Sequence, residues 1–515
     1  MFVIGSNTTE AHPVIGTKMK QALARGAKLI VADPREIDLA KDAHIWLRLK
    51  PGTDIALING IMNIILENGW EDKAFIEERT EGFEELRENL KKFPPEKVSQ
   101  ITGVPLELLV EAARLYASHE KAAIFYTLGI TEHVCGTDNV RSLANLAMLT
   151  GHLGKESSGV NPLRGQNNVQ GSCDMGALPN VFTGYQSVTN PEAQEKFEKA
   201  WGVKLSSKVG YMIPDMFDSA VKKELRAMYI MGEDPVLTDA DANHVRKGLQ
   251  ALDFLVVQNI FMSETAKLAD VILPGASFAE KDGTFTNTER RVQRVRRAIK
   301  PIGNAKADWE IICELSNRMG YPMNYQSPAE IMDEIASLTP QYAGISYERL
   351  GNKGLQWPVP HKDHPGTKFL HEGKFTRGKG LFAVVDYELP NELPDEEYPF
   401  LLTTGRKLQH YNISTRFSPA LEEHAPEELA EINPVDAKRL GIQDGDKVKV
   451  VSRRGEVVTK VWITERVQPG VIFMTFHYKE SPTNVLTNGA YDKVTKTYEY
   501  KVCGVRIEPL VQTAK

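Results

Sequence analysis

Cysteine is scarce in this chain: four occur in 515 residues, Cys135, Cys173, Cys313 and Cys503, widely separated and without a C-x-x-C pair. An iron–sulfur site built from this chain alone is thereby excluded, and the expectation is four buried, reduced thiols suited to a reducing compartment. Long hydrophobic runs are missing too. No stretch approaches about 18 consecutive apolar residues; the longest, Ile55 to Leu66, is interrupted by Asn59 and Asn63 and reads as an amphipathic helix, so no membrane span is expected. No basic block is long enough to track a phosphate backbone, and the formal net charge is −6, which excludes nucleic acid as the main partner. The N-terminus lacks the charged region and small-residue cleavage site of a signal peptide. Met1-Phe2-Val3-Ile4-Gly5 opens inside what reads as a buried strand, so a cytoplasmic location is expected, and so is polypeptide upstream of Met1.

What is present is ordinary for a globular protein with several packed domains: 42% of residues are apolar and 25% charged. The first block reads as a strand from Phe2 to Gly5, a loop Ser6 to Glu10, a helix from Pro13 to Arg25 stopped by Gly26, and a second strand from Lys28 to Asp33. Strand–helix–strand in this order predicts a parallel, right-handed crossover, with its loop at the carboxyl edge where open α/β sheets bind ligands.

The same plan recurs further along. Met228 to Met231 reads as a strand, Gly232-Glu233-Asp234-Pro235 as a turn, Asp239 to Leu252 as a helix and Phe254 to Asn259 as a second strand. Leu39 to His44 before the run Ile45 to Leu49 is echoed by Thr265 to Asp270 before Val271 to Leu273. Two such copies indicate a pseudo-symmetric pair of domains and two similar ligand sites. Between them lie helical segments at Leu106 to Ser118 and Asn139 to Thr150, and a polar run from Asn161 to Gly171 that reads as a loop. Pro358 to Gly380 reads as a linker. After it, short alternating segments at Lys447 to Ser452, Glu456 to Ile463 and Gly470 to Phe476, with a helix opened by Asn433-Pro434 and closed by Gly441, predict a small β-barrel.

In each α/β copy a glycine at the strand end lets backbone approach a phosphate, and Asp33 or Asn259 at the end of the next strand is placed to meet a ribose or purine edge. One copy alone is a generic α/β turn, and G-x-G-x-x-G is absent. Two copies favour paired nucleotide cofactors.

The strings Gly5-Ser6-Asn7, Asp33-Pro34-Arg35, Pro51-Gly52-Thr53-Asp54, Arg164 to Gly176, Met231-Gly232-Glu233-Asp234-Pro235 and Ala269 to Pro274 together resemble the molybdopterin oxidoreductase family, and within it the formate dehydrogenase catalytic subunits. The likeness continues through Thr284 to Arg291, Thr404-Gly405-Arg406 and Glu499-Tyr500-Lys501, and so spans the whole chain. It implies two Rossmann-like α/β domains and a double-psi-type β-barrel, divided as 1–166, then 167–277 with 307–375, a small inserted segment 278–306 of the cluster domain, and 376–515.

The resemblance also implies a bis-molybdopterin guanine dinucleotide cofactor, holding one Mo or W atom through dithiolene sulfurs, and a 4Fe-4S cluster. The metal-ligating selenocysteine or cysteine and the cluster cysteines all fall upstream of the position matching Met1, so this chain alone is expected not to oxidise formate. Residue by residue, Gly5, Asn7, Asp33, Arg35, Gly52 and Asp54 would serve one dinucleotide; Gly232, Asp234, Thr238, Gln258, Asn259 and Asp308 would serve the other. Arg406, His410, Asn412, Asn484, Tyr500 and Lys501 match pterin-contacting positions, and Leu128, Gly129 and Gln166 would line the metal's surroundings. Glu132 stands where a glutamine is common, and Asn259 where an aspartate is, which puts those two contacts in doubt.

Arg164 is the expected substrate residue. A guanidinium fork can hold both oxygens of a planar carboxylate such as formate, which lysine could not orient. The implied reaction is oxidation of formate to carbon dioxide, or the reverse, with electrons leaving to iron–sulfur subunits; NAD- or ferredoxin-linked subunits or a hydrogenase are the candidate partners. A nitrate-reductase-type molybdoenzyme and a metal-free structural or electron-relay subunit are the competing readings. Arg164 argues against the first, and retention of Arg164, Asp234 and Asp308 against the second.

Overall fold

The strand Phe2–Ile4 (β1) is the middle of a sheet, which explains its unbroken apolar sequence: all three residues are at most 1% exposed. The computed structural model describes residues 1–510. Around β1 lie Ile30–Ala32 (β2), Ile45–Leu47 (β3), Ala123–Tyr126 (β4) and Gly159–Pro162 (β5), all parallel, in the order β3-β2-β1-β4-β5. Both the crossover expected at the start of the chain and its helix, Pro13–Ala24, are present. The helix Asp54–Glu67 departs from expectation: instead of showing a polar face it is buried all round from Asp54 to Ile65. Its asparagines are tolerated because Asn59 Nδ2 donates to the Val385 carbonyl (3.0 Å) and Asn63 Nδ2 to Glu67 (2.9 Å).

The chain forms two compact units. The first comprises Met1–Leu163, Leu237–Val245 and the chain from Phe369 onward; the second comprises Arg164–Val236 and Arg246–Lys368. In the second, Ala227–Met231 (β6), Phe254–Asn259 (β7) and Val271–Pro274 (β8) make a parallel sheet in that order, the second copy expected from the sequence. A hairpin of Gly283–Thr286 (β9) and Arg291–Val295 (β10) follows. The polar run 161–171 is not a loop throughout. Its first two residues end β5, and Val169–Asp174 is a helix whose buried Gln170 and Asp174 make side-chain hydrogen bonds inside the second unit.

The predicted barrel belongs to the first unit and is closed. Phe400–Gly405 (β11), Leu429–Ile432 (β12), Lys447–Val451 (β13), Glu456–Ile463 (β14), Val471–Thr475 (β15) and Cys503–Pro509 (β16) pair in the cyclic order β11-β15-β12-β14-β13-β16. Val448, Val450, Val457, Val461, Ile472 and Met474, none more than 3% exposed, fill it. All four thiols are free; Cys313 and Cys503 are buried, Cys135 and Cys173 only partly. Among the described residues no helix is long and apolar enough to cross a membrane.

Candidate functional site

In the first unit the site is built where β1 and β4 end. Gly5 has φ +55°, and its carbonyl accepts from Gly129 N (3.1 Å) and Thr127 Oγ1 (2.9 Å). A Cβ on Gly5 would lie 2.7 Å from the Gly129 carbonyl carbon, and one on Gly129 2.6 Å from Gly5 Cα. Two strand-end loops therefore meet backbone to backbone, an approach only glycine permits. Asn7, just beyond, keeps a buried Nδ2 with no hydrogen-bond partner among the described residues. Leu128 is 42% exposed beside this junction.

Two carboxylates lie behind it. Asp33, directly after β2, is 9% exposed; burial lifts its pKa to about 6, although Oδ1 accepts from Arg35 N at 3.0 Å. Asp54, which follows the φ +80° turn at Gly52, is 6% exposed and pushed up to about 7, first by burial and further by the Asp33 charge. Both acids sit near the balance of protonation, ready to accept from a ligand's N–H groups. Arg35 pairs within the protein: its guanidinium is 3.9 Å above the Phe473 ring and forks onto Glu431 of the barrel, Nε donating to Oε2 at 2.7 Å.

The barrel supplies the remaining groups. Lys501 Nζ pairs with Glu132 Oε2 at 2.6 Å and donates to the Thr404 carbonyl at 3.1 Å. Arg406 reaches the Ala11 carbonyl (3.0 Å) and holds Asn412 Oδ1 (2.8 Å). Asn484 Nδ2 donates to the carbonyls of Leu237 and Thr238 (2.8 and 3.0 Å), and the Tyr500 hydroxyl to that of Thr238 (3.1 Å). His410 stacks on His477 at 3.6 Å, and with Glu422 these two form a cluster whose ligand atoms lie within 4.8 Å of one another. His410 Nε2 bonds the Ala425 carbonyl and His477 Nδ1 that of Asn412. The rings are only 10° from parallel, so their in-plane lone pairs do not converge on one cation.

Sequence reasoning missed the buried group next to these. His133 Nε2 bonds the Gly129 carbonyl (2.9 Å) and lies 3.9 Å from Asp54, while Nδ1 lies 3.9 Å from Glu499. Burial lowers His133 to about 4, which keeps it neutral, and raises Glu499 to about 7. No spacing rule joins residues 54, 133 and 499; only the fold brings them together.

In the second unit the parallel site is organised by Gln258 and Asp308. Gln258 Nε2 donates to Asp308 Oδ1 at 2.6 Å, its Oε1 accepts from Tyr229, and Lys281 pairs with the other Asp308 oxygen. Gly232 follows β6 with φ +68°. Asp234 accepts from Thr265 N and Oγ1 (2.8 and 2.7 Å) and Asn259 Oδ1 from Ile260 N (2.8 Å), so both side chains brace local turns. A cavity of about 290 Å³ lies beside Asp308 and Lys281, with Phe285 and Met332 in its apolar wall.

Arg164 is half-buried in this unit. Its N–H donates to Thr288 Oγ1 (3.2 Å) and its Nε to Gln170 Oε1 (3.1 Å). Gln170 is fixed in turn by Asp174 (2.8 Å) and Tyr185 (3.0 Å), and Asp174 also accepts from Tyr342 and Trp357, both at 2.7 Å. This braced network under Arg164 had no signal in the sequence. Gln166, two residues on, is exposed.

The residues present fit a dinucleotide cofactor. An orphaned buried amide at Asn7, glycines with no room for Cβ, and two buried carboxylates offer an N–H donor, close backbone approach and acceptor oxygens, the groups that such a cofactor requires.

Comparison with known proteins gives the context. Residues 1–318 match the family model described as molybdopterin oxidoreductase, and residues 400–504 the one described as molydopterin dinucleotide binding domain. The chain is 51% identical over 514 residues to the F420-dependent formate dehydrogenase subunit alpha of Methanocaldococcus jannaschii, covering 99% of this chain and 76% of that one. It is 45% identical over 519 residues to formate dehydrogenase H of Escherichia coli, covering 99% and 73%. Among solved structures, acetylene hydratase from Pelobacter acetylenicus matches with TM-score 0.77 at 22% identity, over 99% of this chain and 77% of that one, a likeness of fold.

Proposed function

We propose, from the premise that this chain belongs to the molybdopterin oxidoreductase family, that it is the catalytic (alpha) subunit polypeptide of a formate dehydrogenase. The observation that carries this reading is the 51% identity over 99% of the chain to an F420-dependent formate dehydrogenase subunit alpha. The reaction removes two electrons from formate: its C–H bond breaks, carbon dioxide and a proton leave, and the electrons pass on to partner subunits. The same centre can run the reduction of carbon dioxide.

The dinucleotide cofactor, with Mo or W, supplies the two-electron chemistry when bound. Its guanine end would be met by Asp33 and Asp54 in the first unit and by Gln258 and Asp308 in the second. Asn7, Arg406 and Lys501 would face phosphate or pterin groups, with Glu132 steadying Lys501. Arg164 holds substrate. Its Nε is committed to Gln170, which fixes the plane of the guanidinium, and the terminal N–H groups then grip both formate oxygens and orient the C–H bond. The partners, by this reading, are an iron–sulfur cluster region and electron-accepting subunits.

The test is formate-dependent dye reduction by this chain assembled with a cluster-bearing region. Arg164→Lys removes a fork worth about 1.5–3 kcal/mol, so kcat/KM should fall by roughly 10- to 100-fold. Unchanged turnover in that variant would refute the assignment of Arg164.

A further inference from the structure

The carboxylate of Asp174 is wholly buried, and its two oxygens take four neutral donors. Oδ1 accepts from Gln170 Nε2 and from the Tyr185 hydroxyl, each at 2.8 Å, and Oδ2 from the Tyr342 hydroxyl and Trp357 Nε1, each at 2.7 Å. Gln170 and Asp174 are four residues apart on the helix Val169–Asp174, a spacing that sets their side chains next to each other.

The direction of these bonds settles the Gln170 amide. Its Nε2 meets two atoms, Asp174 Oδ1 and the Tyr185 oxygen, the second at 3.0 Å. A carboxylate has no proton to give, and the Tyr185 hydroxyl has given its own to Asp174, so both present lone pairs. Burial, with the Asp174 charge next, raises the Tyr185 hydroxyl and keeps that proton in place. Only an amide nitrogen fits against two acceptors. The other end of the amide, Oε1, is left facing Arg164 Nε, from which it accepts at 3.1 Å. Tyr185 itself is held at φ +61°, a left-handed conformation that a bulky residue seldom adopts, and strain of this kind persists where the surroundings over-determine a position.

We propose that Asp174 is a positioning residue for the substrate: by presenting only acceptors to the Gln170 amide nitrogen, it fixes which end of that amide faces Arg164 and so the rotation of the guanidinium about its Nε–H. The inference rests on the reading of Arg164 as the residue that holds formate. A neutral amide between carboxylate and guanidinium steers the fork without cancelling the charge that a planar anion needs.

Asp174→Asn keeps the shape and reverses the direction. Trp357 Nε1 can only donate, so the new amide oxygen stays with it and the new nitrogen turns to Gln170. Gln170 must then offer Oε1 to position 174 and Nε2 to Arg164, where two donors meet. In the chain labelled with isotopic arginine, the Arg164 Nε–H resonance, identified by its loss in Arg164→Lys, should exchange with water about tenfold faster in Asp174→Asn. Tyr185→Phe removes one of the two acceptors and leaves the carboxylate, and should speed that exchange by about threefold. In formate-dependent dye reduction by the assembled enzyme, Asp174→Asn should lower kcat by about tenfold and move KM by less than about threefold, because the charge that attracts formate is kept and only its aim is lost. In an Arg164→Lys background, which has no Nε–H, the same substitution should add no further loss. Unchanged Arg164 exchange in both variants, or a full additional loss on top of Arg164→Lys, would overturn the proposal. Faster exchange together with undiminished turnover in Arg164→Lys would instead overturn the substrate reading on which it rests.

Discussion

Asp54→Asn in the cofactor-free chain should make the protein more stable at alkaline pH and leave it unchanged in acid. The native Asp54 carboxyl, buried beside Asp33, is raised from 3.8 to about 7. Between those two values the folded chain holds a proton that the unfolded chain has released, so stability falls as pH rises through the window and the loss is complete above about pH 7. At 1.36 kcal/mol for each tenfold change in acidity, ionising Asp54 in place costs at most about 4 kcal/mol. Relaxation and water entry reduce this, so a gain of about 2 kcal/mol or more is expected for the variant at pH 8. Urea unfolding of both proteins from pH 4 to pH 8 checks it: the curves should coincide near pH 4 and separate steadily above. A difference that is constant with pH would refute the reasoning, because it would mean the carboxylate acts through packing and not through its charge. Loading the cofactor should reverse the advantage, since an ionised Asp54 can then accept from the guanine edge and Asn cannot do so with both atoms.

Other expected outcomes follow from the same geometry. Arg35→Ala leaves the buried Glu431 carboxylate with only the Arg466 guanidinium, 3.7 Å away, and should cost up to about 3–5 kcal/mol in urea unfolding, whereas Arg35→Ala with Glu431→Gln should recover a substantial part of it. Gly129→Ala forces a Cβ to within 2.6 Å of Gly5 Cα, so the loops must part; a loss of about 1–3 kcal/mol and weakened cofactor retention are expected by thermal unfolding and pterin fluorescence.

Local elements were legible because their signals are local. Pro13 at a first turn, the Phe2–Ile4 and Phe254–Asn259 runs, and the alternating strands after residue 447 each name their own conformation. The repeated plan could be read twice, and the glycine at the end of each first strand was visible as the place where backbone must stay bare. The burial of the helix Asp54–Glu67 is not legible in the sequence because its two asparagines look like a solvent face, and the partner of Asn59 Nδ2, the Val385 carbonyl, lies on a distant segment. The run 161–171 reads as loop because a polar side chain there makes its hydrogen bond far along the chain: Asn168 Oδ1 accepts from Thr286 N.

By itself, the sequence determined the two α/β copies and the barrel, which rest on periodicity and turn chemistry, while the family and the candidate roles of the carboxylates and of Arg164 entered through its resemblance to known sequences. The tertiary structure decided what those groups are worth. Burial moves Asp33 and Asp54 toward neutrality, Glu431 claims Arg35, Glu132 claims Lys501, and Asp174 and Gln170 brace Arg164. Desolvation and long-range pairing depend on atoms brought close by the fold, and no pattern along the chain records that proximity.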